Sequence, residues 1–193
     1  IGVRGLTNSS SSSAYALYAN GDIGGNSGKF FCQPHPTDPS KMIRFACLEG
    51  PESGTYCRGT DVLVDGTCTI KLPENFSLAT EEEEITVQVT AIDGPAMLWI
   101  EQRGREQIIV RGSEDVHFDW FVNGVRRGWA GMETLVENTG FIPEDSTWGK
   151  PAFNSFRPAY RQLLVDNGIL NADFTPNMET ATRLGWAPQP SDE

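Results

Sequence analysis

Between residues 62 and 125 the chain repeats one arrangement: a short run alternating apolar and polar residues, then a break at Gly, Pro or Asp. "ITVQVTAI" (85–92) sets Ile85, Val87, Val89 and Ala91 against Thr86, Gln88 and Thr90, the two-residue period of a half-buried strand. Asp93-Gly94-Pro95 ends that run. "VLVDGTCTIKL" (62–72) carries Asp65-Gly66 between two strand-like runs, a hairpin signal because both residues tolerate positive φ. "AMLWIEQ" (96–102), "QIIVRG" (107–112) and "VHFDWFVNGV" (116–125) continue the series. In the last, Val116, Phe118, Trp120 and Val122 share one face and His117, Asp119 and Asn123 the other, which assigns Trp120 to the core. Short strands at this spacing predict a mainly β fold, an antiparallel β-sandwich or barrel of about 90 residues. We set it at residues 35–130.

The flanks differ. Residues 1–34 hold a run of five serines and few apolar residues, with Asn20-Gly21 as a further hairpin signal. Three strands this short have no core of their own. Such a segment is either a linker or part of an assembly whose copies supply each other's missing layer. Residues 131–193 read as an irregular extension with one short helix in "RPAYRQLLVDNGIL" (157–170). Pro158 suits its first turn, Tyr160, Leu163 and Leu164 share a face, and Asn167-Gly168 stops it. Residues 178–184 have the composition for one more helical turn.

Charge narrows the partners. With 15 Lys and Arg against 26 Asp and Glu, the net charge is −11, which argues against nucleic acid and against an anionic membrane surface. No apolar run approaches the roughly 20 residues of a membrane span, so no membrane insertion is expected. No signal peptide is visible and the first residue is Ile1, so the sequence reads as a processed product or an excised fragment. Cys32, Cys47, Cys57 and Cys68 permit two disulfides in any of three pairings. Apolar surroundings suit the last three at least as well as buried free thiols. No two of them form a CxxC, and His35 and His117 are out of zinc register, so neither a metal nor a cofactor is expected.

No constellation selects a reaction. The run Glu81–Glu84 lacks the spaced ligands of a calcium loop and reads as a solvated connection. His117 and Asp119 should be neighbours on a polar strand face, but no nucleophile elbow surrounds nearby Ser113. Glu101 and Asp119 can be nominated as a carboxylate pair only because the chain is acidic. "NSS" (8–10) and "NFS" (75–77) match a glycosylation triplet of a kind common by chance. Trp129, Trp148 and Trp186 lie in loop-like sequence, where exposed rings stack on sugars, and are the candidate ligand-binding residues. Packing of the irregular extension is the competing reading. Arg126 and Arg127, in "NGVRRGW", are expected to pair with carboxylates.

The order of these segments resembles that of trimeric bacterial and phage fibre proteins. Gly2, Val3, Gly5, Ala16, Tyr18, Gly21 and Ile23 match a shaft unit in which a G-V-x-G strand precedes an A-x-Y/F-x-x-G-x-V/I strand. "HPTDPSKMIRFACLEGPESGTYCRG" (35–59) is similar to the H-P-x-D-P start of a β domain at the distal ends of such fibres. The likeness runs through residues 1–129, and the mosaic adhesive trimers of predatory bdellovibrios combine the same parts. No long C-terminal helical hairpin and no self-cleaving serine–lysine arrangement accompanies it. The resemblance implies a homotrimer displaying a distal domain on an extracellular or envelope-exposed fibre. Val3, Tyr15, Leu17, Tyr18 and Ile23 would then bury one another around the shared axis.

From this the expected function is non-enzymatic: a fibre tip or adhesin that recognises a surface, above all envelope glycan. A purely structural tip and a fibre-borne enzyme acting on polysaccharide are the alternatives.

Overall fold

The computed structural model of the chain describes residues 29–137 and 156–185. Val3, Tyr15, Leu17, Tyr18, Ile23, Trp148 and Trp186 lie outside the described residues. The protein is mainly β, as its alternating runs require. Residues 48–137 form one compact unit, a sandwich-like pair of three-stranded antiparallel sheets.

One sheet is ordered β3 (Gly54–Val62), β8 (His117–Val125), β5 (Thr86–Ala91). The other is ordered β4 (Thr67–Lys71), β7 (Gln107–Gly112), β6 (Leu98–Arg103). β8 alternates exposed and buried from His117 to Val122, with Phe118, Trp120 and Val122 inward as the sequence predicts. They meet Ile70, Ile108 and Val110 of the other sheet in one core, with Leu63, Leu72 and Ile85. The two inward faces therefore pack on each other. Helix α1 (Glu74–Ala79), which the strand pattern did not anticipate, adds Phe76 to that core.

The predicted turn at Asp65-Gly66 forms, with φ of 52° and 70°. Val64 and Thr67 exchange N–H···O bonds of 3.0 and 3.2 Å across it. The Asp115 carboxylate accepts from both turn amides, Asp65 N at 3.1 Å and Gly66 N at 2.8 Å. Yet the strands on either side enter different sheets. The hairpin folds over the sandwich edge instead of extending one ladder.

The end of α1 is fastened by side chains. The Thr55 hydroxyl donates to the Gly124 carbonyl at 3.2 Å, leaving its oxygen to accept from buried Thr80 at 2.7 Å. Arg127, expected to meet a carboxylate, instead donates Nη2 to the carbonyls of Ser77 and Thr80. Within the acidic run, Glu81 accepts from Gly128 N at 2.7 Å and Glu82 pairs with Arg105 at 2.8 Å. That loop is tied down at two of its four glutamates.

Strands β1 (Phe30–Pro34) and β2 (Met42–Ala46) make a separate antiparallel hairpin. Its turn is the H-P-x-D-P motif. His35 Nδ1 accepts from the amides of Thr37 at 3.3 Å and Asp38 at 3.1 Å, so a neutral His35 ring carries its proton on Nε2. Asp38 in turn accepts from Ser40 and pairs with Lys41 Nζ at 2.8 Å, contacts that hold its carboxyl below the usual value, Lys41 first. Every residue of both strands except Ile43 is exposed. Phe31 stacks on Phe45 on one face, and Arg44 lies over Phe30 on the other.

Near the C-terminus, α2 (Pro158–Asp166) begins at its proline and stops at Asn167 and Gly168, as predicted. Asn177 caps α3 (Met178–Arg183), the further turn the sequence placed over 178–184, by accepting from Thr180 N at 3.1 Å. Leu170 and Ala181 are buried there.

A candidate ligand-binding face on one sheet

Antiparallel register turns the outward face of β3-β8-β5 into a grid. Arg58, Phe121 and Gln88 form one row across the three strands, and Thr60, Asp119 and Thr90 the next. These six side chains, with Gly59 and Trp120 beneath, line an open depression of about 370 Å³. That volume lies within the range of small-ligand sites. Each of the six is exposed.

Phe121 is the aromatic wall. Tyr56, one row further along β3, stacks on it with centroids 5.5 Å apart and planes 19° from parallel. The Thr60 hydroxyl donates to Asp119 Oδ1 at 2.6 Å, fixing the carboxylate and leaving Oδ2 free to accept. In the row beyond, Thr86 donates to Asn123 Oδ1 at 2.6 Å. Among the described residues the Arg58 side chain makes no hydrogen bond, ion pair or ring contact. The face thus combines an aromatic surface with a guanidinium, an amide, hydroxyls and a carboxylate, all open to solvent.

Of the residues nominated from sequence, Asp119 lines the depression, Trp148 and Trp186 lie outside the described residues, and the others fall elsewhere. Trp129 is half-buried in the turn after β8, its amide donating to the Arg126 carbonyl at 3.0 Å. The Arg126 guanidinium sits 5.4 Å from the centre of its ring. Trp129 does not line the depression. Trp120 is core, and its indole Nε1 donates to Asp61 Oδ2 at 2.9 Å. His117 is not joined to Asp119: its Nδ1 pairs with Asp93. The Ser113 hydroxyl accepts from Met97 N at 3.1 Å.

Glu101 is held in a two-pronged pair by Arg111, at 2.8 and 3.2 Å. It lies on the outward face of β4-β7-β6, whereas Asp119 lies on that of the other sheet, so the two flank no common cleft. Cys57 and Cys68 are free thiols packed against the core. Burial pushes both thiols up, and the Asp61 carboxylate adds to the effect on Cys68. Among the described residues no group of three or more His, Cys, Asp or Glu is placed to hold a metal ion. Nor is any helix there long and apolar enough to cross a membrane.

Sequence reasoning missed Phe121, Tyr56, Arg58 and Gln88. The available signal was Phe121 itself, an aromatic on the polar phase of an otherwise regular alternation. The chain matches no known family model, no curated protein and no solved structure.

Proposed function

We propose that the protein is the recognition module of a homotrimeric, envelope-exposed fibre, and that its sandwich binds cell-surface glycan on the outward face of β3-β8-β5. The observation that carries this reading is Phe121, exposed in a polar grid and stiffened by Tyr56. A pyranose offers an apolar ring face to an aromatic and a rim of hydroxyls to its surroundings. Gln88, Thr90 and Asp119 supply donors and acceptors for that rim beside the ring. Of the aromatics nominated from sequence, Trp129 does not line this depression, and Trp148 and Trp186 lie outside the described residues. A glycan array probed with the intact chain tests the reading. Specific hits that weaken on Phe121→Ala are expected, and a silent array would leave the structural-tip alternative in its place.

Support for the trimer comes from β1-β2. A two-stranded hairpin is marginal in water by itself, and this one carries Phe31 and Phe45 on one face and Phe30 on the other, all exposed within a single chain. A three-fold assembly would cover them, as it would the apolar residues of 1–28. Sedimentation equilibrium of the intact chain should return three times the monomer mass, and Phe31→Ser with Phe45→Ser should shift it to monomer. A wild-type monomer at every concentration contradicts the trimer.

A further inference from the structure

We infer that the glycan taken by this face is acidic, a pyranose bearing a ring carboxylate, with Arg58 as the residue that selects it. The inference rests on the glycan reading above and adds the ligand's charge.

Six other arginines among the described residues are already engaged. Arg111 and Arg105 pair with glutamates, Arg127 meets carbonyls, and Arg44, Arg126 and Arg161 lie over aromatic rings. Arg103, Arg157 and Arg183 also lack such partners but are not among the residues lining the depression. Arg58 is directly across from Phe121 in the β3–β8 register, so its guanidinium borders any ring stacked on that aromatic. Arg58 and Asp119 form no ion pair, and Oδ1 of Asp119 accepts from Thr60.

A guanidinium presents a planar fork of donors that matches a carboxylate with two parallel bonds. On a ring stacked over Phe121, one edge meets Arg58 and the opposite edge meets Gln88. A sugar acid carries its carboxylate at such an edge, while its remaining hydroxyls reach Asp119 and Thr90. The chain's net charge of −11 repels anions at long range, so an acidic ligand needs a local cation of this kind.

The test is an array holding matched acidic and neutral glycans, followed by calorimetry on the intact chain. Trigalacturonate against galactotriose probes hexuronic acids, and sialyllactose against lactose probes nonulosonic acids. The acidic member of at least one pair should bind about tenfold more tightly. Arg58→Gln should remove that preference, Arg58→Lys should restore part of it, and Phe121→Ala should weaken both members. Hits confined to neutral glycans, equal affinities, or a preference that survives Arg58→Gln would overturn the inference and leave the glycan reading standing. An array with no hits would overturn the reading and the inference with it.

Discussion

Trp120 lies across Gly59, its partner on the neighbouring strand, so closely that a Cβ on Gly59 would stand 2.5 Å from Cζ2 of the indole. The glycine gives the largest core side chain its place, and Asp61, two residues along the same strand, takes the indole N–H. Because Trp120 underlies the depression, this contact also supports the floor of the candidate site.

Gly59→Ala should therefore destabilise the sandwich by about 1–3 kcal/mol through overpacking. Trp120→Phe should also destabilise it, because Asp61 loses its donor while half-buried. Urea unfolding followed by tryptophan fluorescence for the glycine variant, and by circular dichroism for the other, measures both. A Gly59→Ala midpoint equal to wild type would contradict the packing.

The turn at Asp65-Gly66 depends on a residue fifty positions away. Asp115→Ala removes the acceptor for both turn amides and should cost about 1–2 kcal/mol. Hydrogen exchange should show faster exchange at the amides of Asp65 and Gly66. Unchanged protection at those two amides would argue against the contact.

The core thiols give a pH prediction. Burial raises Cys57 and Cys68 above their ordinary value of 9.0 in the folded chain. The unfolded chain releases these protons first as pH rises, so the unfolded state binds fewer protons in that window and stability falls. The contribution is complete below about pH 9 and is lost as pH climbs through the raised folded values. Comparing urea midpoints at pH 7.5 and pH 10 for wild type and a Cys57→Ala, Cys68→Ala double variant isolates it. The double variant should lose less stability between the two pH values, and an identical loss would contradict the assignment.

What sequence alone revealed, and what it did not, follows from the range over which each signal acts. The alternation in β8, the turn at Asp65-Gly66 and the stop of α2 at Asn167 are set within a few residues and were legible. Sheet membership was not, because alternation assigns a face but names no neighbour: β3 and β4 are joined by a tight turn yet lie in different sheets. The site was hidden for the same reason. Arg58, Phe121 and Gln88 are far apart in the chain and become a row only through the register of three strands. Phe121, out of phase in "VHFDWFVNGV", was the one local signal of the surface, and the sequence reading passed over it. The H-P-x-D-P motif was visible as a pattern, while its work in closing the β1-β2 turn through His35 Nδ1 needed coordinates.

The central claim is that an aromatic-centred face on β3-β8-β5 recognises glycan. It is tested most directly by affinities for the strongest array ligand in wild type, Phe121→Ala and Trp99→Ala, the last removing a half-exposed aromatic from the opposite sheet. Phe121→Ala should lose about tenfold or more in affinity, with Trp99→Ala matching wild type. Equal binding by wild type and Phe121→Ala would contradict the account.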